Sequence, residues 1–135
     1  CKTTKPCFQV FNCEGNVSMK RHEALIPFSQ QHHHALVLVL KIQQDRWLDL
    51  DWEHEMQQLL SHFDEEETLF QNCWLPLNQT ELQQQFEAEH QQLRLMAVKR
   101  PVNCEEAKAF AILLKQHIRF EEQILFTAFQ TVNIF

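Results

Sequence analysis

The chain of 135 residues contains one glycine, Gly15, and no tyrosine. Tight hairpins and phosphate-cradling loops need glycine for backbone angles and close approach that other residues resist. After position 15 the sequence offers none, which excludes a Rossmann-type nucleotide fold and argues against a β-rich one. Long apolar runs are missing too. The longest, Ala35 to Leu40, falls far short of the roughly 20 residues that cross a bilayer. No apolar stretch follows an early basic cluster, so neither a membrane span nor a cleaved signal peptide is expected. Basic residues are outnumbered, with 12 Lys and Arg against 18 Asp and Glu and a net charge of −6. They form no basic stripe, so nucleic acid is not an expected partner.

Cysteine is present without a pairing pattern. Cys1, Cys7, Cys13, Cys73 and Cys104 are odd in number and lack CxxC spacing, which predicts reduced thiols in a cytoplasmic protein rather than a disulfide framework or a zinc ribbon. No nucleophile constellation stands out either. Ser61 adjoins His62 in sequence and so points elsewhere on a helix.

What the chain has in quantity is Gln, Leu, Glu and Phe, punctuated by Pro6, Pro27, Pro76 and Pro101. Proline breaks helix interiors but suits helix starts and connections. The last three prolines therefore divide residues 19–135 into four helices, over about 27–46, 51–74, 80–99 and 104–131. Thr80 with Gln83 and Asn103 with Glu106 have the form of helix-opening caps, and Asp49 or Asp51 can cap the second helix. Such short connections predict an all-α fold, an antiparallel up-down-up-down four-helix bundle. Residues 1–18, without a helical period, read as an irregular N-terminal arm or extension.

Two of these helices carry the same phrase. His62 and Glu66 on the second, and His117 and Glu121 on the fourth, are each spaced HxxxE, followed by an apolar residue and Phe. Residues four apart lie one turn apart on one face, so each pair forms a nitrogen–oxygen pincer. The third helix offers Glu89-His90, and the first opens on His32-His33-His34. The pincers fall on apolar stripes: Leu59, His62, Glu66, Leu69 and Cys73; Phe86, His90, Leu93 and Ala97; Phe110, Leu113, Leu114, His117, Glu121, Ile124 and Ala128. Buried carboxylates without a cation would cost several kcal/mol.

Height along the helices gives an independent test. In an antiparallel hairpin, residues at one level straddle the turn symmetrically. The midpoint between the His62/Glu66 pair and His90 falls at Leu77, within the Pro76–Asn78 turn. That between His90 and the His117/Glu121 pair falls next to the Pro101–Asn103 turn, and that between His32 and the second-helix pair falls at Leu48. All four helices thus bring donors to one level. Imidazoles and carboxylates together suit a borderline transition metal, and six side chains exceed what tetrahedral zinc needs. They fit two metals, with Glu66 and Glu121 able to bridge. Two Fe(II) ions, oxo- or hydroxo-bridged, would leave open positions for dioxygen or another small diatomic ligand.

At these residues the chain resembles the hemerythrin-like (HHE cation-binding) family. That family carries a His on the first helix, HxxxE on the second, EH on the third and HxxxEE with an apolar-Phe step on the fourth. The corresponding residues are His32, His62 with Glu66, Glu89-His90, and His117 with Glu121-Glu122. The resemblance runs from about Met19 to Thr131. It implies a four-helix bundle with a non-haem di-iron centre that binds or senses oxygen or handles iron, and metal ligands His32, His62, Glu66, His90, His117 and Glu121. Periodicity alone does not choose among His32, His33 and His34; the resemblance favours His32. The oxygen carriers of the family have HxxxH on the third helix and HxxxxD on the fourth. Here Arg94 stands four residues after His90, and Glu121 and Glu122 follow His117, which shifts the expectation from carriage toward sensing, iron handling or weak redox chemistry.

Three alternatives carry different expectations. The same centre would also serve an enzyme with oxidase, peroxidase or nitric-oxide chemistry. A structural or interaction bundle would merely pack its histidines. Glu87 with His90 spells the ExxH of ferritin-like sites, but no second helix repeats it. Glu65, Glu67 and Glu122 read as solvated surface, as do His22, His54 and the Gln-rich faces, and no protein partner is indicated.

Overall fold

The computed structural model describes residues 20–135, so the arm expected at 1–18 lies outside the described residues. Among those described, the protein is helical throughout, without a strand. Helix α1 spans Ile26–Gln43, α2 Trp52–Phe70, α3 Trp74–Leu77, α4 Thr80–Ala97 and α5 Cys104–Phe120. A π-helical turn, Glu121–Leu125, then leads into α6, Phe126–Thr131. No described helix is long and apolar enough to cross a membrane.

The helix boundaries follow local chemistry. Pro27 sits in the first turn of α1, where its missing N–H is no loss. The helix stops three residues short of the expected Arg46, because Asp45 takes a left-handed conformation at φ 62°. Asp51 caps α2 by accepting from the His54 N–H at 3.2 Å, and Asn103 caps α5 by accepting from the Glu106 N–H at 2.9 Å. The cap expected at Thr80 does not form. Asn78 is left-handed at φ 56°, which puts Thr80 inside the first turn, with Gln79 at the uncapped boundary. The second helix also ends earlier than expected, at Phe70, and Trp74 begins the separate turn α3.

The core falls into two apolar clusters. One gathers Ala35, Leu38, Val39, Leu59, Phe63, Leu93, Leu114 and Ile118 with others. The second gathers Leu25, Phe28, Phe70, Phe86, Phe120, Leu125, Phe126 and Phe129. Phe63, Phe70, Phe126 and Phe129 are fully buried, each worth about 1.5–3 kcal/mol relative to exposure. Helix α1 packs against α2 and α5, and α4 packs against the same two. On all four long helices a buried polar residue lies within about a turn of the change from one cluster to the other: His32 on α1, Glu66 one turn after His62 on α2, His90 on α4, and His117 on α5 with Glu121 just beyond its end. A buried polar layer therefore lies between two apolar halves.

The π turn changes which residues face inward. Continuing the 3.6-residue period past Glu121 places Ile124 and Ala128 in the core. Instead Ile124 is 50 % exposed, while Leu125, Phe126 and Phe129 are fully buried. One wide turn adds a residue to the helical circuit and shifts everything after it by one position. The same turn buries both Glu121 and Glu122.

Candidate metal centre

Eight polar or charged side chains are buried among the described residues, and six of them converge: His32, His62, Glu66, His90, His117 and Glu121. They make two groups. One consists of His32, His62, Glu66 and Glu121, the other of His90, His117, Glu66 and Glu121; within each, the donor atoms lie within 4.8 Å of one another. Both carboxylates belong to both groups. Each group thus has two imidazoles and a share in two carboxylates, and can hold a metal ion.

The four imidazoles have one design. Each points Nε2 inward and uses Nδ1 to hold an outer partner. His32 Nδ1–H donates to Glu122 Oε2 at 2.6 Å, His90 Nδ1–H to Glu67 Oε2 at 2.7 Å, and His117 Nδ1–H to Glu89 Oε1 at 2.7 Å. His62 Nδ1–H donates to Gln31 Oε1. An acceptor on Nδ1 fixes the tautomer and leaves the Nε2 lone pair free, as histidine ligands to metals require.

The inward atoms approach each other as ion pairs, mostly without hydrogen-bond geometry. His32 Nε2 is 2.7 Å from Glu121 Oε1 and 3.4 Å from Glu66 Oε2; His62 Nε2 is 3.2 Å from Glu66 Oε2; His117 Nε2 is 2.8 Å from Glu121 Oε2. Only His90 Nε2 to Glu121 Oε2, at 3.3 Å, has hydrogen-bond geometry. The Nε2 atoms of His32, His62 and His117, both oxygens of Glu66, and Oε1 of Glu121 have no hydrogen-bond partner. A buried polar atom left unpaired costs about 1–3 kcal/mol. Six such atoms aimed at two shared points are what a pair of cations would satisfy.

Electrostatics in the metal-free protein reflect this crowding. Burial disfavours charge on His32, but Glu121, Glu122 and Glu66 outweigh it and raise its pKa well above the ordinary value. The same balance, burial opposed by Glu121 and Glu66, raises His90 to about 10. His117 is raised by Glu121 and Glu89 against burial. Burial pushes Glu121 upward, yet His117, His32 and His90 hold it well below the usual carboxylate range. Burial and the Glu121 charge push Glu66 upward, and His62 and His32 bring it below its ordinary value. Imidazoles and carboxylates of the layer thus shift one another toward their charged forms.

The structure separates residues that sequence alone left together. Of the three consecutive histidines, His32 is buried in the cluster, while His33 and His34 are exposed, and His34 pairs with Glu55 at the surface. Glu66 faces inward and Glu65 outward, accepting from Gln31. Glu121 joins both donor groups, whereas Glu122 stands behind His32. His54 is exposed and His22 half-buried.

One expectation of solvated surface is overturned, at Glu122, and a second holds only in part, at Glu67. Glu122 is 2 % exposed, because the π turn rotates it inward beside Glu121. Glu67 is half-buried and grips His90, with Arg94 donating to it at 3.0 Å. Arg94, four residues after His90, faces outward over the Phe63 ring. Gln31 and Glu89 are outer partners that the apolar stripes did not mark. Being one residue from a donor, as Glu67, Glu89, Glu122 and Gln31 all are, was the available signal.

Aromatic rings enclose the layer. Phe126 stacks on His32 at 5.6 Å, and Phe86 and Phe63 lie 4.0 and 4.3 Å from His90. Open grooves border both groups. One of about 640 Å³ between α1 and α2 has His62 in its wall, and one of about 680 Å³ between α2 and α4 has His90. No family model, curated protein or solved structure matches the chain.

Proposed function

We propose that this is a hemerythrin-like protein: an antiparallel four-helix bundle holding two iron ions, which binds or senses dioxygen or a related small ligand, or handles iron. The observation that carries the reading is the pair of donor groups sharing Glu66 and Glu121, with most of their inward atoms lacking a hydrogen-bond partner. The alternation of the two apolar clusters along successive helices supports the antiparallel arrangement. His32 and His62 would hold one ion, His90 and His117 the other, and the two glutamates would lie between them. When bound, the iron pair would supply open coordination positions and one-electron redox capacity.

The chain's own contribution is positional. Gln31, Glu67, Glu89 and Glu122 hold the imidazoles in the tautomer that presents Nε2. Phe63, Phe86 and Phe126 exclude water from the layer, which strengthens its electrostatics. A bundle that only packed its histidines would hydrogen-bond their inner nitrogens, and here three of the four face carboxylates as ion pairs without hydrogen-bond geometry. Two imidazoles per ion fit sensing or iron handling better than reversible carriage. The test is spectroscopic. Iron-loaded protein should show near-ultraviolet absorption that changes when anaerobic protein meets dioxygen or nitric oxide. Iron-loaded protein whose spectrum responds to neither would refute the small-ligand reading.

A further inference from the structure

Arg21 precedes the first helix, outside every apolar stripe, yet its side chain is only 9 % exposed. It binds Glu122 and Gln130. Nη2 donates to the Glu122 carboxylate at 3.2 Å and to the Glu122 carbonyl at 3.1 Å, while Nη1 donates to Gln130 Oε1 at 3.1 Å. The guanidinium also lies 5.4 Å from the Phe126 ring, whose stacking partner is His32. Gln130 in turn secures the strand of chain around Arg21, donating to the Lys20 carbonyl at 2.8 Å and accepting from the His22 N–H at 3.3 Å.

We propose that Arg21 is a positioning residue for the His32 side of the metal centre, acting through Glu122 on the π turn. The proposal rests on the di-metal reading but adds a residue remote from the donor set. Glu122 makes two further bonds through its other oxygen, from Ser29 Oγ at 2.8 Å and from His32 Nδ1. With Oε1 and the carbonyl both held by Arg21, Oε2 is fixed where His32 must meet it. The buried Glu122 charge is compensated by Arg21 at the same time, so no other cation has to enter.

Of the other outer carboxylates, Glu67 also meets an arginine, Arg94 at 3.0 Å, but that pair stands open to solvent, and Glu89 has no such partner among the described residues. Glu67 and Glu89 are 41 % and 29 % exposed in their side chains, so water helps to orient and screen them. Gln31, behind His62, carries no charge. Glu122 alone is buried beyond the reach of solvent, and the arginine takes over the role that water has elsewhere. The π turn is the reason both ends of the arrangement meet: it buries Glu122 one residue after the shared ligand Glu121. Loss of Arg21 should therefore act on one ion position and spare the other.

The experiment compares wild type, Arg21→Gln and Arg21→Lys as full chains, titrated with Co(II) and followed by visible absorption and calorimetry. In Arg21→Gln one of two Co(II) equivalents should weaken by about 10–100-fold, the usual range for a lost outer partner, with the other near wild type. Arg21→Lys should restore part of the loss. Proton spectra of the metal-free proteins give a second readout: the downfield His32 Nδ1–H resonance should be lost or shifted in Arg21→Gln, while those of His90 and His117 stay. Two wild-type affinities with an unmoved resonance, or equal weakening of both equivalents, would overturn the proposal. If Arg21→Gln does not fold, Glu122→Gln must show the same selective loss, and its failure to do so is decisive against it. Wild type that takes up no Co(II) would sink the di-metal reading, and the resonance would still decide whether Arg21 positions His32.

Discussion

Replacing His62 with leucine has opposite consequences for a packed core and for a metal centre. His62 is 5 % exposed, and its Nε2 has no hydrogen-bond partner. In metal-free protein, removing that atom relieves about 1–3 kcal/mol, while the lost bond to half-exposed Gln31 and the lost contact with Glu66 at 3.2 Å together return at least about 1 kcal/mol of it. His62→Leu should therefore be neutral to stabilising by about 2 kcal/mol without metal. With metal the balance reverses. His62 is one of two imidazoles in its group, and deleting a donor should weaken that ion by at least about 100-fold. Mass-action linkage makes this a loss of about 2–3 kcal/mol when wild type is near saturation. At about 4 °C per kcal/mol for a chain of this length, the variant should melt above wild type in chelator and level with or below it in anaerobic Fe(II). Thermal unfolding followed by circular dichroism reads both arms. Equal stabilisation in both conditions would refute the reasoning and make His62 a packing residue.

Three further outcomes follow from the same geometry. Glu121→Gln should lower the occupancy of both ion positions, because Glu121 belongs to both groups, whereas His90→Ala should lower one; metal content after dialysis distinguishes them. In metal-free protein, the raised His32, His90 and His117 contribute stability that is complete below about pH 6.5 and disappears as pH rises through their folded values, about 10 for His90. The depressed Glu66 and Glu121 contribute above their unfolded value and lose that contribution as pH falls through their folded ones, so urea stability should peak between about pH 4.5 and 6.5 and decline toward 10. A flat profile above pH 6.5 would contradict it. Finally, Phe129→Ala should cost about 3–5 kcal/mol and Ile124→Ala under about 0.5 kcal/mol; the reverse order would refute the π turn, since an unbroken α-helix buries Ile124.

Much of the helical layout was legible because proline positions and 3/4 spacing report local geometry directly. Asp51 and Asn103 cap as their sequence context suggests, and the level of the histidines could be read from turn symmetry. The misses have a common cause. Glu67 and Glu122 lie off the apolar stripes, and whether they turn toward a neighbouring imidazole depends on how helices face one another, which periodicity does not encode. The π turn is harder still: Glu121-Glu122-Gln123-Ile124-Leu125 has no proline or glycine to mark it. Its trace is the misplacement of Ile124 and Ala128 against Leu125 and Phe129. Thr80 failed as a cap because Asn78, a left-handed stop, moved the helix start by one residue.

Iron content measured on protein expressed in iron-rich medium and purified in air tests the central claim most directly. Two donor groups sharing Glu66 and Glu121 predict about two irons per chain, falling in the Glu121→Gln variant. Protein that emerges without iron, and whose melting temperature does not move when Fe(II) is added back, would contradict the account.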